Sequence, residues 1–429
     1  MVEAMEGLLC LRRSSRNGYS VPENSTFCAV MKTARQSPKR RVAMLMGWYN
    51  HASHSGIARY ARDAGWILDN HSVHIGHRPS LHSIDGVVCC LYGQPELTAL
   101  VRKIDKPVVD LQWQVKSLDL PRVLSDNVTA GQMAARHLLE RGFKQFVFAA
   151  PDVRGHFASR ERLDGFRATL AAHGHRMKVL DGRNAVKASQ ASSIYQCADW
   201  LAGRLRTIPK PFAVFCTNDD FAVDILDACS MANILVPEEA AVVGCDNDEL
   251  ICPLASVPLT SVDLNLEEVA YQGARLLDQL MDGRKAPRRP VRVPCRGVVT
   301  RRSSDILAVE HLGVAKALRF ILDHHTNPLI GVADAAAAAG MSRRGLGLVF
   351  HRLVGRHVSE EIARVRMERA MAMLATGEHN ATDVAAVCGY SGLKHLARAL
   401  VRATGHGPRQ FAKNLKKPIR KRQKRGQMT

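Results

Sequence analysis

Residues 334–355 read DAAAAAGMSRRGLGLVFHRLVG. They hold a short alanine-rich helix, a turn at Gly340-Met341-Ser342, and a second helix that Ser342 opens as N-cap. On the second helix Leu346, Val349, Phe350 and Leu353 fall at i, i+3, i+4 and i+7, which turns them inward and leaves Arg343, Arg344, Gly347 and His351 outside. This is the helix-turn-helix pattern. Residues 381–405, ATDVAAVCGYSGLKHLARALVRATG, repeat it after a long helix expected over Glu360–Ala375. The second copy has a short helix, a turn at Cys388-Gly389-Tyr390, and Ser391 opening the next helix. Leu393, Leu396, Ala397 and Leu400 form its inward stripe, and Lys394, His395, Arg398 and Arg402 point outward.

The charge follows the same segment. Residues 311–429 carry 21 Lys/Arg against 7 Asp/Glu, residues 41–310 carry 32 against 30, and the first 40 carry 7 against 3, out of a net +20. One terminal domain thus owns most of the excess, which is the footprint of a polyanion-binding module and not of a generally basic enzyme. The tail Lys413–Arg425 adds eight basic residues and no acid. Such a tail raises affinity for phosphates without reading sequence, through counterion release.

Upstream the pattern changes. From Arg41, short apolar runs alternate with amphipathic segments, the arrangement of parallel strands joined by crossover helices. Strands are expected at Val42–Met46, Gly86–Leu91, Pro107–Leu111, Phe146–Ala149, Phe212–Cys216 and Ala240–Val243; their all-apolar composition implies burial on both faces. Between them, a helix capped by Asn127 carries Ala130, Ala134 and Leu138 and closes at Gly142. Others are expected over Arg160–His173, from Asp219, and over Leu266–Met281. A Pro-rich run from Pro287 to Pro294 is followed by the charged, aperiodic stretch Arg301–Glu310. An interdomain linker is expected there, at 305–312, between domains at 41–304 and 313–415, with 1–40 a flexible extension and 416–429 a basic tail.

With these residues in place, 313–411 resembles the AraC-type DNA-binding domain, two helix-turn-helix units joined by a long helix. The match rests on Gly340, Ser342, Leu346, Phe350, Gly355, Arg366, Ala370, Leu374, Val384-Ala385, Gly389-Tyr390, Gly405 and Pro408. It departs at Leu396 and Leu400, where the family usually has phenylalanines, and at Gly407, where it usually has serine. The resemblance implies that the first turns of the two recognition helices enter adjacent major grooves of double-stranded DNA. Arg343, Arg344, Lys394 and His395 are then the base-reading candidates, since an arginine fork meets O6 and N7 of guanine together. Ser342, Ser391, Arg352, Arg398 and Arg402 complete the interface, the arginines as phosphate contacts that fix position.

The central region resembles the two-lobed, doubly wound periplasmic-binding-protein fold of lac-repressor-type regulators. The motifs are Ser125-Asp126-Asn127 with Gly131, Ala134 and His137-Leu138; Ser159-Arg160-Glu161-Arg162 with Gly165-Phe166; Thr217-Asn218-Asp219; and Val243 to Leu250, VGCDNDEL. Its pairing with a C-terminal AraC-type domain resembles the xylose-operon branch of AraC-family regulators, as do the strings GCDNDEL and RRSSD and a chain start near Met31. The implied fold is an α/β sensing domain followed by an all-α double helix-turn-helix domain. The implied partners are a sugar effector, promoter DNA, a second copy of the chain and RNA polymerase. Open α/β folds bind ligands at the carboxyl ends of their strands, which would bring Asp219 and Asp246 into one cleft. Resemblance adds Arg162 and Asn247, and Trp48 or Trp113 offers an apolar wall.

Other functions are weighed against this. There is no P-loop, no GxGxxG after the first strand, no GxSxG and no HExxH, so an enzyme on the same fold lacks its usual signatures. His51, His54, His71, His74 and His77 fit no regular ligand face, and neither metal nor cofactor is expected. A transport-type sugar-binding protein would need an export signal and no basic domain; here the brief apolar run precedes the arginines of MVEAMEGLLCLRRSS, the reverse of a secretory signal. No stretch approaches the roughly 20 apolar residues of a membrane span. The 11 cysteines form no CxxC pair and sit mostly in apolar runs, as buried reduced thiols do. A cytoplasmic protein is expected.

Overall fold

A computed structural model describes residues 39–70, 83–184, 198–376, 379–408 and 410–411. The extension 1–38, Met31 included, and the basic tail lie outside them, as do His71, His74 and His77.

Lobe 1 is built on four parallel strands in the order β2-β1-β3-β4: β1 Arg41–Met46, β2 Ile67–Asp69, β3 Gly86–Cys90 and β4 Val108–Asp110. Every residue of β3 and β4 is buried, as strands inside a two-sided parallel sheet must be, Asp110 at the end of β4 included. Helices α1 (His51–Asp63) and α2 (Pro95–Arg102) are its crossovers. A further strand, β5 (Val123–Ser125), leads into lobe 2.

Lobe 2 holds six strands, in the order β12-β10-β9-β8-β6-β7. They are β6 Gln145–Ala150, β7 Met177–Asp181, β8 Phe212–Cys216, β9 Ala240–Cys245, β10 Thr260–Asp263 and β12 Gly297–Val299, all parallel except β12, which runs antiparallel to β10. Helices α3 (Asn127–Glu140) and α4 (Phe157–Ala172) cover one face; α5 (Ala198–Arg206) and α6 (Asp219–Met231) cover the other. Gly131 and Gly165 let α3 and α4 touch backbone to backbone: a Cβ at Gly131 would lie 2.1 Å from the Arg162 carbonyl, and one at Gly165 2.0 Å from that of Val128. The chain then returns to lobe 1 as α7 (Leu266–Met281) and β11 (Val291–Val293), which pairs with β5, and crosses back into β12. Among the described residues three crossings thus join the lobes, at Ser125–Asn127, Asp263–Leu266 and Val293–Gly297.

The helical end comprises α8 (Leu312–His324), α9 (Val332–Ala338), α10 (Arg343–Val354), α11 (Val358–Thr376), α12 (Ala381–Val387) and α13 (Leu393–Thr404). The first helix-turn-helix, α9–α10, shares one continuous apolar core with lobe 2, whereas the second, α12–α13, closes on its own cluster around Ala370, Val384, Leu396 and Leu400.

Several expectations are corrected. Asp126, not Asn127, caps α3, accepting from the Thr129 amide at 3.1 Å; Asn127 is thereby freed to face α4. Gly392, not Ser391, precedes α13, and the Ser391 hydroxyl bonds His395 instead. Leu353 and Leu393 stay exposed, at 40% and 42%, because each lies at the edge of its stripe. The largest correction concerns Arg301–Glu310. Ser303 and Ser304 are fully buried. Ser303 donates to the Val242 carbonyl (2.6 Å) and accepts from the Thr260 amide (2.8 Å), while Ser304 meets His137 at 2.8 Å. Ile306 and Val309 are buried too. The stretch is a packed strap, since Arg301, Ser303, Ser304 and Asp305 each find a partner.

Candidate functional site

The lobes enclose a cleft at the carboxyl ends of their strands. Lobe 1 contributes Trp48, Tyr92, Gln112 and Ser125, from just beyond β1, β3 and β4 and from the end of β5. Lobe 2 contributes Asn127, Phe157, Ser159, Arg162, Asn218 and Asp246, and the space, open mouth included, is about 580 Å³.

Arg162 is the buried centre of the site. Its Nε donates to Asn127 Oδ1 (3.0 Å), one terminal nitrogen donates to the Thr217 carbonyl, and the other lies 3.7 Å from Asp246 Oδ1. Burial works against the guanidinium charge, but the surrounding Cys245 and Asp246 outweigh it and hold its pKa above the ordinary value. Asp246 takes the rare φ of +128° at the end of β9, which aims its carboxyl into the cleft. Burial pushes that carboxyl well up, Arg162 pulls it back, and Asp219, Asp220 and Asp248 push it up again. Tyr92, pushed up to about 12 chiefly by burial, remains a neutral hydroxyl. Trp48 and Tyr92 stack at 6.4 Å, so flat apolar faces border the polar groups. Amides, a carboxylate and one guanidinium beside aromatic faces suit a small polyol, which presents hydroxyls on its rim and C–H groups on its faces.

The lobes also grip each other around the cleft. Gln114 of lobe 1 donates to the Gly155 carbonyl (2.6 Å) and accepts from the Phe157 amide (3.0 Å). Asn50 donates to Asp248 (3.1 Å), Tyr92 packs on His156 (4.8 Å), and Arg292 forms a two-pronged pair with Glu161 (2.7 and 2.6 Å).

Of the expected effector residues, Arg162 and Asp246 meet in the cleft and Asp219 and Asn247 do not. Asp219 is 1% exposed, and its oxygens are taken by Ser261 (2.6 Å), the Asp248 amide (2.9 Å) and Cys252 (3.2 Å). As the first residue of α6 it points under the 246–252 loop and supports it. Asn247 turns outward, donating to Asp263 (3.3 Å) and accepting from Arg301 (2.8 Å). Trp113 is packed on Phe157 (5.0 Å) under Arg122, so Trp48 is the tryptophan of the cleft. Sequence reasoning missed Gln112, Gln114, Tyr92 and Asn218. Extending the strand-end rule from lobe 2 to β3 and β4 would have found the first three. His54 contacts Tyr49 (3.1 Å). The eight described cysteines are buried and free.

At the helical end Ser342 caps α10, accepting from the Gly345 amide at 3.1 Å, and Arg343, Arg344 and Arg352 stand exposed on that helix. Lys394, His395, Arg398 and Arg402 are exposed on α13. Arg366 instead serves the interior, donating to the carbonyls of His325 (2.9 Å) and Asn327 (2.7 Å). The strap joins this end to lobe 2. Arg301 donates to Asn247 and to the Leu259 carbonyl (3.0 Å), Asp305 pairs with Arg369 of α11 (2.8 Å), and Arg302 lies 3.8 Å from Asp323 of α8.

Residues 135–304 match the family model described as periplasmic binding protein-like domain, and 335–414 match a helix-turn-helix domain. The xylose operon regulatory protein of Haemophilus influenzae is 26% identical over 375 residues, spanning 85% of this chain and 95% of that protein. The protein of the same name from Escherichia coli K12 is 27% identical over 332 residues, 76% of this chain and 83% of that one. A solved structure of a xylose-binding transcription activator, 24% identical, superposes with a TM-score of 0.65 over 88% of this chain and 99% of that chain, which establishes the shared fold. Among the described residues no helix is long and apolar enough to cross a membrane.

Proposed function

We propose that this chain, a helix-turn-helix transcription regulator carrying a periplasmic-binding-protein-like sensing domain and homologous to xylose operon regulators, binds a pentose, D-xylose, between its lobes and answers by changing its grip on operator DNA. The observation that carries this reading is the Arg162–Asp246 centre facing lobe-1 amides and aromatics across a hinge of three crossings. Sugar hydroxyls placed there bond to both lobes only when the cleft is closed. That is the differential affinity a ligand needs in order to shift a conformational equilibrium.

The loop after β9 carries Asp246 toward the cleft and Asn247 toward Arg301, so a movement of that loop on sugar binding is delivered to the strap and through Asp305 and Arg302 to α11 and α8. In this reading 41–304 is the sensing part, 313–415 the DNA-binding part and 305–312 a stiff connection. Arg343, Arg344, Lys394 and His395 read bases, and Arg352, Arg398 and Arg402 hold phosphates. Ser342 supports the first recognition helix as its cap, and Ser391 holds the ring of His395 in the second. The chain acts as a homodimer on two adjacent sites, which gives avidity beyond one helical domain, and it contacts RNA polymerase at the promoter.

Calorimetry of the full chain with xylose, arabinose, ribose and glucose at millimolar concentration tests the sugar, and footprinting with and without the bound sugar tests the response. No heat with any of the four would sink the sugar reading. A strict monomer at DNA-binding concentrations would sink the dimer.

A further inference from the structure

Helix α10 carries two features on its outer face that packing does not explain. Leu348 is 68% exposed, although Leu346 and Phe350 on either side of it are fully buried. Gly347 is a helix-interior glycine at which a Cβ would meet no atom within 4 Å. Such a glycine costs helix stability and is expected where another backbone or a ligand comes close. Gly345, by contrast, has a local reason, since a Cβ there would lie 3.0 Å from the Oγ of the capping Ser342. Leu348 stands one turn from Arg344 and one from Arg352, both exposed, with His351 alongside. An apolar side chain and a bare backbone therefore form a patch in the middle of a basic face. In the second unit the place two residues after the buried Leu396 is held by Arg398, so at this position the first unit alone is apolar.

We propose that Leu348 is a base-reading residue that packs on the 5-methyl group of a thymine in the major groove, with Gly347 letting the helix backbone settle close to the base edges. This rests on α10 lying in the groove as described above. The chemistry selects the occupant. The flanking guanidiniums require phosphate or guanine around the patch, and the one apolar feature a base pair shows in the major groove is the thymine methyl.

The test begins by selecting the preferred site from random duplexes with the full chain, then replaces each thymine of that site by uracil, which lacks only the methyl. One replacement is expected to weaken binding by about four-fold, the equivalent of one buried methyl. In Leu348→Ala the same replacement should have no effect, while Arg344→Ala binds more weakly yet keeps the methyl dependence. Gly347→Ala is expected to keep or raise Tm and still lose affinity for the selected site. Uracil tolerated at every position, or a methyl effect that survives in Leu348→Ala, overturns the proposal while leaving α10 as the reading helix if Arg344→Ala still weakens binding. Loss of neither affinity nor base preference in both Arg344→Ala and Leu348→Ala removes α10 from the groove and this proposal with it.

Discussion

Arg162→Met tests the centre of the cleft most directly. Methionine keeps most of the side-chain volume and deletes the charge. Both Arg162 and Asp246 are buried, and breaking a buried pair by removing one partner costs about 3–5 kcal/mol, because the other charge stays behind uncompensated. At about 2–4 °C per kcal/mol for a unit of this size, Tm should fall by about 6–20 °C. The loss carries a pH signature. The Asp246 carboxyl is already pushed up by burial and by Asp219, Asp220 and Asp248, with Arg162 alone among its named neighbours pulling it down. Without Arg162 its folded pKa rises further above the unfolded value near 3.9. A carboxyl of this kind holds its proton more tightly in the folded state, so its contribution is fully present below the unfolded pKa and is lost as pH rises toward the folded one. The slope approaches about 1.4 kcal/mol per pH unit. Differential scanning fluorimetry from pH 5 to 8 should therefore show Tm of the variant falling with pH more steeply than wild type. Adding Asp246→Asn to Arg162→Met should remove that excess slope and recover part of the Tm, because the stranded acid is gone. A variant curve parallel to wild type, or undiminished heat with xylose, would refute the reasoning.

Gln114→Ala deletes two inter-lobe bonds at roughly 0.5–1.5 kcal/mol each. Calorimetry should show sugar affinity down by about 5- to 150-fold, with DNA affinity in the absence of sugar unchanged. His137 is pushed down to about 3, chiefly by burial and also by Arg141. Its folded pKa thus lies below the unfolded value near 6.5, and stability is fully present above that pH and lost as pH falls toward 3. Replacing it, as in His137→Asn, should flatten the drop in Tm measured between pH 7 and 5. Arg343→Ala or Arg344→Ala should cost about 1–3 kcal/mol on the preferred site and relax one base position, whereas Arg402→Ala should weaken all sequences alike and lower the salt slope by about one; competition binding at several salt concentrations separates the two.

The strands legible in the sequence were those buried on both faces. β1, β3, β6, β8 and β9 are almost wholly apolar, so composition alone marks them. Six escaped: β2, β5, β11 and β12 are three residues long, with β11 inside the Pro-rich run that reads as a connection; β7, an edge strand, buries only Leu180; and β10, TSVD, is mostly polar. Hydropathy also misreads the strap, because it counts polar atoms without knowing their partners. Ser303 and Ser304 look like linker residues until Val242, Thr260 and His137 are brought to them by strands and a helix far away in sequence. Asp219 and Asp246 illustrate the same limit. Each follows a strand end, and only the turn after β9, with its positive φ, decides that one carboxyl faces the cleft and the other lies beneath the loop.

The inter-lobe contacts bound what a sugar has to add. The bonds made by Gln114 and Asn50 contribute about 0.5–1.5 kcal/mol each. The partly exposed Arg292–Glu161 pair adds about 1 kcal/mol or less. These contacts set the ligand-free ratio of closed to open; from a starting ratio of 1:99, reaching 99:1 takes about 5.5 kcal/mol of differential affinity from the sugar itself, and each inter-lobe bond lost lowers the starting ratio and raises that requirement. The signal to DNA is limited in the same way. On the proposed route it passes through a few hydrogen bonds of Arg301 and two ion pairs of the strap, and couplings of this kind amount to about 1–3 kcal/mol, or 5- to 150-fold in affinity. Linkage makes that factor reciprocal. If sugar tightens the grip on the operator, the operator must tighten the grip on sugar by the same factor; if sugar releases DNA, the operator must weaken sugar binding equally. The direction of regulation can therefore be measured at the cleft, by titrating sugar into the full chain with and without its DNA, as surely as at the promoter.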